Sequence, residues 1–527
     1  MSTAIRNRLL LGLLSLAGVV LVLFFTSRYG IGVSPDSAAY MSTAKNLLAG
    51  NGYVQYDGDV FLYWPPLFPT LLAFVGLSGF DIVDIARYVN AVSFGLIIFV
   101  SGLWFLENVK STFLTLLGST AILLSIPLVA VSVFAWTETL FALFVQLFLF
   151  AMGNFLKDGK TTVFFLSALF AAFACLSRYV GIMVVLTGVV LLLLKQKISL
   201  VHRVNTVIAF VLVSVLPLGI WLVRNYVVSS TLTGVRGPSA YTLWQNLYFI
   251  LDSVSTWFLP VGIPSMARHL SVVFVLLLVF GVGVSTAIRR GRACSVTYLP
   301  VMLIGCFLVL YTVGLAISAT QVTTHQINLN YRYSSPIYAP LVLLIVLVVD
   351  QYNSDRRLSK RIVSFCLIAL IGVWLVYQLA STVEMGVRFI KDGVGGYSTS
   401  VWVNSDLMDY LKTHQLPGKI YSNVPHGVYV ITGVSAKLSP CRELPFTAQG
   451  LPTNDLARLA ETLRISEDDV YLVWFDNRQA RHFYTVPELR IFFDLEPVVM
   501  LSDGSIYRIT GVVSLPPEGD STAPSSN

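Results

Sequence analysis

Leu9–Phe25 reads LLLGLLSLAGVVLVLFF, with Arg6 and Arg8 just before it and Arg28 just after. A run of this length spans a bilayer core, which takes roughly 20 mostly apolar residues. No small-residue cleavage site follows, so the segment reads as an uncleaved signal anchor rather than a removed leader. The same pattern recurs along the chain. Further apolar runs are centred near Phe94, Ala121, Val145, Leu169, Leu186, Leu212, Leu278, Leu308, Leu344 and Leu370, which predicts about eleven transmembrane helices. The shorter run Pro65 to Leu77 opens with Pro65-Pro66 and is punctuated by Gly76 and Gly79. It reads as a surface or re-entrant helix.

Composition agrees. Only 12% of the 527 residues are charged, while 55% are hydrophobic and the mean hydropathy is +0.74. A soluble domain carries about twice that charge, so lipid must be the solvent for much of this surface. The formal net charge of +7 does not point to nucleic acid. No nucleic-acid motif is present, and the cations are placed as in a membrane protein.

With the N-terminus inside, alternate loops hold Lys110, then Lys157 and Lys160, then Lys195, Lys197 and Arg203. Arg289, Arg290 and Arg292 follow, then Arg356, Arg357, Lys360 and Arg361. Each cluster falls on the cytoplasmic side of a multi-pass protein of the plasma (inner) membrane. Loops 28–80, 225–270 and 318–334 then face outward, as does the C-terminal region.

The expected organisation is a transmembrane domain over 1–390, an extracytoplasmic α/β domain over 391–513 and a disordered Pro- and Ser-rich tail over 514–527. In the second domain Ser405–His414 and Asn454–Arg464 read as helices. Lys419–Asn423, Val428–Thr432 and Val470–Phe475 read as strands, and Val498–Leu501 pairs with Ser505–Ile509 across Asp503-Gly504. The five cysteines are scattered, with no metal-ligand spacing, and read as packing residues.

The chemistry is concentrated in the first outer loop. Ser34-Pro35-Asp36-Ser37 opens a helix carrying Ala39, Ala44 and Leu48, with Gly50 as its stop. An N-terminal carboxylate can be a helix cap, a role Ser34 or Ser37 could equally take. Alternatively, Asp36 is a general base at the membrane surface. Attack of a hydroxyl on an anomeric carbon needs such a base. A departing lipid phosphate needs no acid but does need outer cations to hold it.

Asp36 with Tyr40, Ala44-Lys45-Asn46-Leu47-Leu48, Gly50, Gly52-Tyr53 and Trp64-Pro65-Pro66-Leu67-Phe68-Pro69 resembles the first outer loop of GT-C glycosyltransferases. The likeness is greatest to family 39, the protein mannosyltransferase and aminoarabinose transferase type. Trp136-Thr137-Glu138-Thr139-Leu140-Phe141, Leu176-Ser177-Arg178-Tyr179-Val180-Gly181, Trp221-Leu222-Val223-Arg224-Asn225 and Tyr331-Arg332-Tyr333 continue it in order. The resemblance covers nearly the whole chain in topology, through short motifs. It implies an inverting transferase that takes a monosaccharide from a polyprenyl-phosphate donor, with Asp36 catalytic. The acceptor would be a protein, lipid or glycan hydroxyl. Aminoarabinose transferases carry a second acid after the aspartate, an arginine before the tyrosine and a lysine before the Pro-Pro pair. Here Ser37, Ala39 and Trp64 stand there, so the donor sugar is left open.

Substrate-binding candidates are Tyr40, Trp64, Glu138, Arg178, Arg224 and Arg332. The arginines are set against plain snorkelling to the interface, and Glu138 against a helix-capping role. Arg236 and Lys45 are weaker candidates. Asp57-Gly58-Asp59 reads as a turn, so no cofactor is expected, with a divalent metal left open. His269 and His325 are isolated. Tyr241, Trp244, Tyr248 and Trp257 suggest a segment on the membrane interface. Two other classes compete: a transporter or flippase of lipid-linked sugars, and a non-catalytic envelope polysaccharide assembly protein. A transporter would show repeat symmetry and mid-membrane ionisable groups, and the sequence shows no internal repeat and few such groups.

Overall fold

The apolar runs fold as helices. The computed structural model describes residues 3–195, 199–236, 239, 241–289, 299–321, 329–353, 358–442, 454–476 and 482–514. Lys197, Arg290, Arg292, Cys294, His325, Arg356, Arg357 and the tail beyond 514 lie outside the described residues, as do the side chains of Arg289 and Lys360.

Seven helices among the described residues are long and apolar enough to cross a membrane: Ile5–Phe25, Ile82–Asn108, Glu138–Asp158, Leu200–Ser229, Leu299–Ala319, Tyr331–Asn353 and Arg361–Asp392. The run around Ala121 is a pair, Thr112–Leu123 and Ile126–Ser132, bent by 47°. Its broken backbone is satisfied from Arg361–Asp392: Gln378 accepts from Ile126 N at 3.2 Å, and Thr382 donates to Leu124 O at 2.9 Å. Apolar surroundings demand that compensation. The runs near Leu169 and Leu186 are the shorter apolar helices Thr161–Ser177 and Tyr179–Leu194, and the run near Leu278 lies in the helix Ser265–Arg289. Leu67–Gly76 is a separate ten-residue helix with Phe74 and Leu77 exposed at its end.

The bundle has two chemically different ends. At one, Lys157 donates to Asn108 at 2.9 Å, and buried Asp350 accepts from the backbone N–H groups of Lys110 and Ser111. Glu138 begins the helix that Lys157 nearly ends, and Arg332 begins the span that holds Asp350. At 1.5 Å per residue these ends lie roughly 30 Å apart. The acidic and guanidinium groups described below therefore share the end opposite Lys110 and Lys157.

The C-terminal domain is built on a mixed sheet. Strands β1 (Gly418–Ser422), β2 (Lys437–Leu438), β3 (Asp469–Phe475), β4 (Phe493–Leu501) and β5 (Gly504–Val512) lie in the order β2-β1-β3-β5-β4. The β1 pairings with β2 and β3 are parallel, and the β3–β5 and β5–β4 pairings are antiparallel. Strand β3 is buried along all but its first residue. Asp503, in the β4–β5 turn, accepts from Ser405 and Leu407 N and so caps the helix Asp406–Thr413.

One expectation is corrected. Val428–Thr432 is not a strand but the end of a helix, Pro425–Thr432. Its β-branched residues suggest a strand, but Pro425 at the first helical positions and Gly433 in the left-handed conformation at the C-cap fix a helix. This helix also joins the domains. Val428 and Ile431 pack with the sheet domain, while Val430 packs against the transmembrane core.

Candidate functional site

Three stretches of backbone hold the start of the Asp36 helix. Gly32 accepts from Ala135 N at 2.9 Å and donates to Val133 O at 2.8 Å. On the other side Val33 bridges Gly396 in parallel and accepts from Tyr397 N at 2.8 Å. The chain then enters the helix Pro35–Leu48, with Ser34 and Ser37 forming a reciprocal capping box. Ser34 therefore takes the capping role. Asp36 sits in the first turn, where helix polarity favours a carboxylate.

The same backbone pairing delivers Trp136 and Glu138. Trp136 donates its indole N–H to Ser34 Oγ at 2.8 Å and stacks on Phe134 at 4.0 Å. Buried Asn90 donates to Phe134 O from a neighbouring span and fixes this turn. The Arg332 guanidinium lies 4.2 Å over the Trp136 ring.

Arg332 joins two acids. Its Nη2 donates to Asp36 Oδ2 at 2.6 Å and its Nε to Glu138 Oε1 at 2.5 Å. Arg178 pairs with the same Glu138 oxygen and donates to Thr137 Oγ1 at 3.3 Å. Two carboxylates and two guanidiniums thus form a chain from four elements, Asp36–Arg332–Glu138–Arg178. Charges so withdrawn from water are tolerable only when paired. The members differ in access. The Glu138 side chain is 0% exposed, whereas that of Asp36 is 25% exposed. Glu138 is therefore a buried anchor, and Asp36 is the carboxylate an incoming group can reach.

The other expected residues fall around this chain. Tyr40 is fully buried against Phe61, Trp64 and Phe68, with ring centroids 5.5–6.2 Å away. Its hydroxyl has no hydrogen-bond partner among the described residues, and burial first, then Asp36, raises its pKa well above the usual phenol value. Trp64 stacks on Phe61 at 5.6 Å and serves here as packing for Tyr40. Arg224 is not brought to Asp36 by any contact among the described residues. It donates to Phe61 O, Tyr53 O and Asn225 Oδ1 and lies over Trp221 at 4.8 Å. Arg236 likewise donates to Tyr63 O at 3.0 Å and faces the Tyr179 ring. The arginines thus form two groups: Arg178 and Arg332 paired with acids, and Arg224 and Arg236 fastened to carbonyls of residues 53–63.

Lys45 is exposed. Asp57 accepts from Asp59 N in a turn through Gly58, and among the described residues no three His, Cys, Asp or Glu side chains converge. His269 is not isolated: it shares Asp252 with Arg268, at 3.1 Å each. Trp244 and Tyr248 are exposed on the helix Leu243–Ser255, but Trp257 is buried against Tyr338 and anchors no interface. Sequence reasoning missed Trp136 as the link between Ser34 and Arg332, and missed Tyr56 and His426, whose side chains meet at 2.7 Å. The Trp136-Thr137-Glu138 motif carried a signal for the first. Nothing in the sequence joins positions 56 and 426.

Comparison with solved structures follows this geometry. ArnT from Cupriavidus metallidurans superposes in its apo state with a TM-score of 0.64 at 13% identity, over 94% of this chain and 97% of that one. Its complex with undecaprenyl phosphate gives 0.62 at 14% identity over the same shares. The chain has the GT-C fold. Archaeal AglB from Archaeoglobus fulgidus, solved with an inhibitory peptide and a dolichol-phosphate, shares the GT-C fold less closely, with a TM-score of 0.52 at 12% identity over 89% of this chain and 69% of that one. No protein-family model and no curated protein matches the sequence. The GT-C likeness extends over both domains, and the chain is a multi-pass membrane protein.

Proposed function

We propose that the protein is a membrane glycosyltransferase that moves a monosaccharide from a polyprenyl-phosphate donor to an acceptor hydroxyl at the extracytoplasmic face, with inversion. The observation that carries this reading is the pairing of a reachable carboxylate, Asp36, with the Arg332 guanidinium at 2.6 Å. ArnT, of like fold, is solved with undecaprenyl phosphate, and AglB with a dolichol-phosphate and a peptide.

In this scheme Asp36 accepts the proton of the acceptor hydroxyl as its oxygen attacks the anomeric carbon. The bond from that carbon to the phosphate oxygen breaks, and the electron pair leaves with the polyprenyl phosphate. One displacement inverts the centre. Arg332 aligns the Asp36 carboxylate, and the guanidinium donors that Arg332 and Arg178 do not spend on acids meet the charge growing on the phosphate. Tyr40 offers a buried hydroxyl, unpartnered among the described residues, beside the same charges. Arg224 and Arg236, which make no ion pair among the described residues, guide the anionic headgroup along residues 53–63. The chain's own cations supply the positive charge, so the scheme calls for no cofactor. Orientation follows from the basic clusters: the Lys110 and Lys157 end is cytoplasmic and the Asp36 end extracytoplasmic.

The test is transfer from a panel of radiolabelled polyprenyl-phosphate monosaccharides by the protein reconstituted in liposomes. Asp36→Asn abolishes transfer while the variant keeps its thermal transition. Full turnover in that variant overturns the assignment.

A further inference from the structure

One helix of the C-terminal domain reaches the site. Pro425–Thr432 packs against Pro35–Leu48, the helix that carries Asp36. One aromatic residue of the first outer loop holds it there. Tyr56 stacks on Tyr429 at 4.4 Å and 14°, its hydroxyl meets His426 Nδ1 at 2.7 Å, and Ser435 donates to its backbone carbonyl at 2.7 Å. Ser398 adds a bond to Ile31 O at 2.7 Å. These contacts tie the start of the domain and its helix to both flanks of the base.

His426 is more than a docking contact. Its ring is partly buried, and Nε2 makes no hydrogen bond among the described residues, which leaves it open to a ligand. Asp36 is the charged group that acts on it, opposing the burial that brings its pKa down to about 4. The ring is therefore neutral at pH 7. Burial also raises the Tyr56 pKa, so the phenol keeps its proton and is able to donate it to Nδ1 at 2.7 Å. In that tautomer, the one taken here, the remaining ring proton sits on Nε2.

We propose that His426 is an acceptor-binding residue: from the C-terminal domain it holds the acceptor hydroxyl against Asp36, with Tyr56 as its positioning residue. The inference rests on the transferase reading and adds the acceptor side to it. A polyprenyl donor arrives from the bilayer, which leaves the side that the soluble domain covers to an acceptor from the aqueous phase. There the Nε2–H donates to one lone pair of the acceptor oxygen. That oxygen gives its own proton to Asp36 and keeps its second lone pair for the anomeric carbon. A neutral donor suits this task, because an imidazolium would add a second cation to the Arg332 already paired with Asp36 and compete with the acceptor for the carboxylate.

The experiment uses the full-length protein in liposomes with a radiolabelled polyprenyl-phosphate monosaccharide that supports turnover. Two fates of the label are counted: transfer to acceptors in washed membranes of the source cell, and release to water. His426→Gln, His426→Ala and Tyr56→Phe are compared with the parent. The expected result is an at least tenfold fall in the ratio of transfer to release, and a raised requirement for acceptor membranes with the donor KM within about twofold. Tyr56→Phe keeps the stack on Tyr429, so its thermal transition separates the lost hydroxyl from undocking. If both fates change in the same proportion, or neither changes, the acceptor assignment is overturned. Asp36→Asn run alongside keeps the two ideas apart. If it spares both fates, the transferase reading fails; if it removes both while the His426 ratio holds, only the present inference fails.

Discussion

The Asp36 carboxylate and the Arg332 guanidinium lie 2.6 Å apart although 296 positions separate them in the chain. Arg332 reaches Asp36 with Nη2 while Nε engages Glu138 at 2.5 Å, so one planar fork spans two acids from different helices. A lysine ammonium is a point charge and cannot reproduce that span.

Arg332→Lys is therefore expected to lower turnover about 100-fold, near the loss of one transition-state hydrogen-bond donor. Arg332→Ala goes further. It strips a partner from a buried carboxylate and costs about 3 kcal/mol of stability, the lower end for broken buried pairs because Arg178 still serves Glu138. Thermal unfolding in detergent, beside transfer kinetics, checks both. Parent-like kinetics in Arg332→Lys would show that the fork is not needed.

Trp136→Phe separates positioning from charge. The phenyl ring keeps a weaker face beneath Arg332 but loses the N–H donated to Ser34 Oγ at 2.8 Å. The lost hydrogen bond and weakened cation–π contact together amount to about 1–2 kcal/mol. Realised in the transition state, that is about a tenfold drop in turnover with donor binding preserved. Titration with undecaprenyl phosphate and single-turnover rates measure the two separately.

Gly396→Ala tests how the outer domain is seated. Gly396 has φ of +61°, and an added Cβ would stand 1.9 Å from Val33 O, across the bridge that holds the base helix. The backbone must move, so the bridge and the Tyr397–Val33 bond are lost. The variant is expected to expose the 391–400 segment to protease and to cut activity at least tenfold. Gly50→Ala is the control. It shares a positive φ of +81° but meets nothing within 4 Å, so only the local backbone cost of about 1 kcal/mol applies.

The fourth expectation concerns pH. Burial holds His426 down at about 4, against 6.5 for a free imidazole, with Asp36 pulling the other way and neutral Tyr56 on Nδ1. The unfolded or undocked state therefore binds a proton first as pH falls. This group's contribution is complete above pH 6.5 and is lost progressively between 6.5 and about 4. The slope is at most about 1.4 kcal/mol per pH unit. Hydrogen exchange of residues 425–432 against pH should show the loosening, and His426→Gln should flatten it. A slope of the opposite sign would mean that His426 is charged when docked.

Local chemistry decided much of this in advance. The apolar runs determined the helices because hydrocarbon leaves a backbone no other partner. Ser34, Pro35 and Asp36 determined where the base helix starts, because caps act within one turn. Asp36, Glu138, Arg178 and Arg332 could be singled out because charge beside apolar runs is costly and so informative. Tertiary structure alone decided their pairing. Which guanidinium meets which carboxylate, and that Arg224 turns instead to the carbonyls of residues 53–63, depends on helices packing from distant parts of the chain. The helix at Pro425–Thr432 shows the same limit: its β-branched residues read as a strand in the sequence, and its seat beside Asp36 comes from Tyr56, 370 positions away from His426. Sequence patterns report the solvent each segment needs, whereas side-chain partners are chosen only when the folded chain brings them within hydrogen-bond range.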